Sequence, residues 1–339
     1  MLKRKLIAAI LFALASPSIA QDLPAKYEVV PTGLSNASFM NNQGFVVGSV
    51  QTRAGFPGKA TTWSSGTLTQ VPLEKGHRES NLTFVGQDNV VLGNSITTSR
   101  SKQLSFKLEN GKLSWLPSLT GKLSSPTGMN KSGVIVGTAT NSAQQQRAFL
   151  FDGKIKDLGT LGGPSSSALR VNDSGVVVGW SSISVSSKFQ HAFKLQNGAM
   201  VDLTPGIAFS SWAYGINNDG DIVGAMDTDK GRRAVLWSNG STFLTPELQF
   251  GIASSINSYK VVVGTMEVAT EQTIDGQVFV NRDLNAFVWA KGQLVNLNNK
   301  IDPKSGFLLT RGVCVNDKGE ILAIGLKDGK QQAVILRPN

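Results

Sequence analysis

The sequence is poor in the residues that most often carry chemistry. Its 339 residues include one cysteine and two histidines. A lone Cys314 excludes an intramolecular disulfide, so closure must come from packing. It lies in Gly312-Val313-Cys314-Val315, with no histidine nearby in sequence, and reads as a small buried hydrophobe and not as a nucleophile. His77 and His191 stand in separate repeats and give no zinc-ligand spacing. A Gly-x-Ser-x-Gly elbow, a Gly-x-x-x-x-Gly-Lys-Ser/Thr phosphate loop and a dinucleotide fingerprint are all missing. No apolar run reaches the length of a transmembrane helix. Neither a cofactor nor a metal is expected.

What the chain has instead is repetition. The block runs Ala-Phe-x-aromatic, a Gly turn, Asp-Leu, Ser-rich residues, then Val/Ile-Asn-x-x-Gly-x-Val-Val-Gly, and it occurs seven times. The apolar residue opening the turn falls at Met40, Val85, Met129, Val171, Ile216, Ile256 and Val315. Eight residues later stand Gly48, Gly93, Gly137, Gly179, Gly224, Gly264 and Ala323. Period-two alternation rich in Val, Ile, Phe and Trp predicts half-buried strands, and Asn-x-x-Gly predicts the hairpins between them. Four short strands in about 40 to 45 residues is the size of a propeller blade.

The two ends complement each other. The last repeat stops after its third strand, while Lys26 to Leu34 sits where other repeats carry their fourth. The expectation is therefore an all-β, seven-bladed β-propeller over residues 21–339, with four-stranded blades and the last one closed by the N-terminal strand. A β-solenoid or stacked sandwich is the alternative, but a solenoid would need capping repeats, and none is visible. The longest interval between repeats carries an insertion at about 268–284 and predicts a protruding loop there.

Residues 1–20 read as a signal peptide: Lys3-Arg4-Lys5, an apolar Leu6 to Ala15, and Ser18-Ile19-Ala20 before the cut. This predicts export to the periplasm or the extracellular space. Losing the leader lowers the formal charge from +10 to +7, a moderate basic bias. It suits weak, salt-sensitive binding to anionic polymers, but Lys and Arg are spread through most repeats and form no stripe for specific nucleic-acid binding.

The string from Ala148-Phe149-Leu150-Phe151 through Asp157-Leu158-Gly159-Thr160-Leu161-Gly162-Gly163 to Val171-Asn172-Asp173-Ser174-Gly175-Val176-Val177-Val178-Gly179 resembles the bacterial HAF-type extracellular repeat. His191-Ala192-Phe193 matches the name literally. The second copy departs, with Gly86 for the Asn and Asn89 for the turn Gly, and the sixth puts Lys260 at that turn. The resemblance implies an exported, repeat-built envelope or extracellular protein, and no catalytic residues.

Candidate site residues are those that break the repeat. Trp63, Trp237 and Trp289 share a slot with Phe151 and several leucines, so they read as core between blades. Trp212 and Tyr214 fall where other repeats put mostly small residues. With Arg170 and Arg311 near the equivalent positions of other blades, they predict a ligand site at one mouth of the central channel, for a glycan or an anionic group. His191 reads as a structural, strand-flanking position and His77 as a solvated loop residue. Asn217-Asn218-Asp219-Gly220-Asp221 resembles half a calcium loop, yet Met226 stands where the closing Glu belongs. Lys230, Arg232 and Arg233 read as a solvated hairpin beside Asp227 and Asp229. The resulting expectation is a monomeric binding module for an envelope protein or glycan. A propeller enzyme acting on a polysaccharide is the alternative, and a purely structural role is the third possibility.

Overall fold

The computed structural model describes residues 21–52, 58–72, 75–274 and 277–339. Residues 1–20, read above as a signal peptide, and residues 275–276 of the expected insertion lie outside them. Seven antiparallel four-stranded sheets stand in a ring, as expected for a seven-bladed propeller. From blade 1 to blade 7 the innermost strands are Asn36–Met40, His77–Val85, Ser124–Met129, Ser166–Val171, Ser211–Ile216, Gly251–Ile256 and Leu308–Val315. Each lies beside the next, and that of blade 7 lies beside that of blade 1.

Blade 7 takes its outer strand, Tyr27–Pro31, from the N-terminus. This strand pairs with Lys330–Pro338, from Tyr27 opposite Pro338 to Pro31 opposite Val334. An edge that would otherwise expose unpaired backbone groups is covered. Thr32 adds a second tie, its Oγ1 donating to the Ala333 carbonyl at 2.7 Å.

The apolar stripes meet between blades. Val136 and Ala148 of blade 3 pack against Ala168, Val171, Val177 and Phe193 of blade 4. Trp63 and Trp237 are buried in such seams and Trp289 packs partly buried in another, as their shared slot predicts. Burying one such aromatic or aliphatic side chain is worth about 1.5–3 kcal/mol.

The repeated glycine of the second strand has a steric cause. A Cβ at Gly48, Gly179, Gly224 or Gly264 would lie within 1.8 to 2.1 Å of an inner-strand carbonyl oxygen. At Gly137 and Gly264 it would also strike the ring of Phe149 or Phe287 at 2.7 Å. The phenylalanine of Ala-Phe thus lies across the bare backbone of its neighbour. Blade 7 exchanges the sizes: Ala323 faces Gly312.

The repeated asparagine closes the ring. Its Nδ2 donates to the backbone carbonyl at the equivalent position of the next blade. The links run Asn130 to Asn172, Asn172 to Asn217, Asn217 to Asn257, Asn257 to Asn316, Asn316 to Asn41, and Asn41 to Gly86, at 2.9 to 3.3 Å. Only the link from blade 2 to blade 3 is lacking, because Gly86 has no side chain to donate. Each asparagine Oδ1 also accepts from its own turn, as Asn257 does from Tyr259 and Val261 at 3.0 and 2.9 Å. Asn42, Gln87, Asp173, Asn218 and Asp317, each one residue further on, accept backbone N–H groups from the preceding blade.

The turn position four residues after the opening apolar residue is left-handed whatever occupies it. Gly175 has φ 78°, and the two substituted turns follow it, Asn89 at 59° and Lys260 at 56°. The lysine is retained despite a backbone cost of roughly 1–2 kcal/mol, and its Nζ meets Asp221 at 3.1 Å. Asp221 is thereby tied into the turn, also accepting from Asn217 Nδ2.

The insertion is a regular ribbon rather than a loop. Strands Val262–Ile274 and Gln277–Ala290 continue their ladder from Val268 opposite Asp283 to Ile274 opposite Gln277. As a hairpin between second and third strands, it rises from the face opposite the asparagine turns.

Candidate functional site

Every innermost strand carries a β-bulge two residues before the turn-opening apolar position. A bulge re-aims the unpaired side chain. Here it turns Ser38, Leu169, Tyr214, Ser254 and Val313 onto the wall of an upper cavity of about 390 Å³, on the face away from the asparagine turns. Arg170, Arg311, Asn36 and Ile252 also line it.

The ring one step below the bulges decides how far the channel runs. It consists of Phe39, Phe84, Gly128, Arg170, Gly215, Ser255 and Cys314. Three large side chains in this ring meet. Arg170 leaves blade 4 and places its guanidinium carbon 5.0 Å from the Phe39 ring of blade 1 and 5.7 Å from the Phe84 ring of blade 2. The two rings lie 4.3 Å apart. Arg170 Nη1 donates to the carbonyls of Thr127 and Leu169, both at 2.7 Å. This plug separates the upper cavity from a lower one of about 170 Å³ near the asparagine belt, and Arg170 lines both.

Burial pulls the Arg170 guanidinium down to about 10, which still leaves it charged at neutral pH. Arg311 is also held below its ordinary range by burial, and its Nη2 donates to Asn36 Oδ1 at 2.9 Å. Among the described residues, no aspartate or glutamate lines the upper cavity. Two cations face it without a carboxylate, an arrangement that favours an anionic guest.

Three of the four residues singled out from the sequence therefore share one cavity: Arg170, Tyr214 and Arg311. Trp212 does not line it. It occupies the same register as Arg311, but its Nε1 donates to Gln190 Oε1 at 2.9 Å and Arg232 covers its ring at 4.1 Å. Asp227 in turn holds Arg232 at 2.7 Å. Trp212 thus ties blade 5 to blade 4. Arg170 sits three residues deeper than Arg311 in the repeat register, which makes it the floor and not the rim. Phe39 and Phe84 escaped sequence reading because large residues at an apolar-flanking slot look like ordinary packing.

The remaining candidates have structural partners. Lys230 pairs with Glu247, Arg232 with Asp227, and Arg233 donates to the Thr245 carbonyl. His191 is buried rather than strand-flanking, and its Nδ1 meets Asp202 Oδ2 at 2.8 Å. Arg147 with Asp157, and Asn285 with Asn296, repeat this pairing between third and outer strands. His77 is not a solvated loop residue. It begins the inner strand of blade 2 and stacks on Trp115, with centroids 4.7 Å apart.

Cys314 is sealed in the channel wall, its Sγ donating to the Met40 carbonyl at 3.8 Å. Burial pushes its thiol up to about 12 from an ordinary 9.0. The stability gained by holding that proton is present below pH 9 and is lost as pH rises from there toward 12. A disulfide-exchange reagent at pH 8 should leave the native thiol untouched and titrate it fully in guanidinium chloride. Fast labelling of native protein would mean that the wall opens.

No protein family matches the chain, and no curated protein does. Solved structures do resemble it. The β-propeller domain of the Trilobed protease from Pyrococcus furiosus, of open velcro topology, aligns with TM-score 0.54 and 10% identity over 78% of this chain and 83% of that one. A puromycin hydrolase variant complexed with PGG aligns with TM-score 0.52 and 10% identity over 94% of this chain. The acylaminoacyl peptidase of Pyrococcus horikoshii aligns with TM-score 0.53 and 12% identity over 77% of it. The alignments cover 55% and 44% of those two longer chains. At such identities the likeness is one of fold, and the fold is that of a β-propeller.

Proposed function

We propose that this protein is an exported, monomeric recognition module of the HAF-repeat type, working in the periplasm or outside the cell. In this reading residues 1–20 direct export and residues 21–339 form one binding domain. The observation that carries it is the upper cavity, lined by Arg170 at its floor and Arg311 nearer its mouth, with no acid among the described lining residues. The ligand is accordingly anionic, on an envelope glycan or protein. A glycosidase of the common two-carboxylate kind would need two facing carboxylates, and the described residues lining this cavity include none.

The test is capture from envelope extract on immobilised residues 21–339, at low and at physiological salt. A specific glycan or protein should survive physiological salt, and Arg311→Gln should reduce its retention roughly tenfold, the worth of one charge-assisted hydrogen bond. Trp212→Phe should retain it. Capture limited to bulk anionic material that salt removes, or an Arg311→Gln protein that captures as well as wild type, would refute the proposal.

A further inference from the structure

We propose that the upper cavity receives the end of an acidic sugar chain, with the carboxylate of the terminal residue held between Arg170 and Arg311, and that it does not grip internal stretches of polymer. The inference rests on the recognition-module reading above and adds to it the class of ligand and the part of the ligand that is read.

The plug sets the first condition. Arg170 crosses from blade 4 to the rings of Phe39 and Phe84 on blades 1 and 2, so the cavity is blind and nothing can be threaded through it. A polymer can insert an end and no more. A volume of about 390 Å³ falls in the range of small-ligand sites, roughly 300–1,000 Å³.

Charge sets the second. Arg170 commits Nη1 to two backbone carbonyls, and among the described residues Nε and Nη2 have no protein partner. A guanidinium has five N–H donors in a planar fork, matched to a planar carboxylate. Its face rests on two phenyl rings, which do not neutralise it. Arg311 adds a second cation nearer the mouth, steered by Asn36.

The wall sets the third. The hydroxyls of Ser38, Ser254 and Tyr214 line the cavity, and among the described residues none has a protein hydrogen-bond partner. Bulges present all three. Hydroxyl groups left to water can be taken over by sugar hydroxyls, and the Tyr214 ring offers a face for the sugar.

The experiment is titration calorimetry of the exported chain with short and long galacturonate oligomers. The number of proteins bound per chain should be the same at both lengths, at most one for each end, since only ends enter. Esterifying the terminal carboxylate, or Arg311→Gln, should weaken binding about ten- to a hundredfold, while Lys131→Gln at the opposite mouth leaves it unchanged. More proteins bound per long chain than per short one, no effect of esterification, or loss on Lys131→Gln would overturn the proposal. Inorganic phosphate and a peptide with a free C-terminus separate the two readings. If either binds in an Arg311-dependent way while galacturonates do not, the sugar assignment fails and the anionic recognition site stands. If no acidic probe shows dependence on Arg311, both fail.

Discussion

Gly224→Ala should destabilise the protein severely, costing about 4 kcal/mol or more and lowering Tm by on the order of 10 °C. The added Cβ would sit 1.8 Å from the Trp212 carbonyl oxygen and 3.1 Å from the Ala213 Cα, both backbone atoms of the inner strand. Backbone cannot rotate aside as a side chain can. The inner strand would have to leave its register, and with it the bulge that aims Tyr214 into the channel. Calorimetry on Gly224→Ala beside Ala323→Gly checks the cause. Ala323 already carries this Cβ opposite Gly312, so its removal should cost at most about 1 kcal/mol. Equal effects at the two sites would show that the crowding is not what fixes the glycine.

Asn257→Ala should be nearly as damaging, at about 3–5 kcal/mol. The side chain is buried and makes three hydrogen bonds: to the Asn316 carbonyl at 3.0 Å, and from the Tyr259 and Val261 amides at 3.0 and 2.9 Å. Truncation leaves all three backbone groups without their partner, and each buried loss costs about 1–3 kcal/mol, part of it recovered by water at the channel mouth. Urea denaturation measures the total. Asn257→Asp keeps both acceptor bonds but sets a carboxylate oxygen against the Asn316 carbonyl in a buried site, so it should destabilise the protein as well. A loss below about 1 kcal/mol for Asn257→Ala would mean that apolar seams alone close the ring. The natural gap at Gly86 shows how one missing link is tolerated: a Cβ there would meet the Met129 methyl at 2.5 Å, so the methionine fills the space of the missing amide.

The repeat was legible because its chemistry is local. Asn-x-x-Gly makes its own turn, and a left-handed residue is required there even where Asn89 or Lys260 stands. The Ala-Phe and Val-Val-Gly signatures meet within one sheet, so their spacing survives in any single copy. The end-to-end closure was also readable, since the missing strand of one end is present at the other. His77 was misread because its partner Trp115 is nearly forty residues away, on the outer strand of the same blade. The burial of His191 depends in the same way on Asp202, across the sheet.

The sequence by itself thus determined seven blades, their closure and the departures from the repeat at Arg170, Tyr214, Arg311 and Trp212. The tertiary structure alone decided which of those share a cavity. Period-two alternation puts Trp212 and Arg311 at the same register, yet Gln190 and Arg232 engage the first within the blades while the second stays at the channel. The plug was equally out of reach of the chain order. Phe39, Phe84 and Arg170 come from three blades, and a contact across a ring has no fixed spacing in sequence.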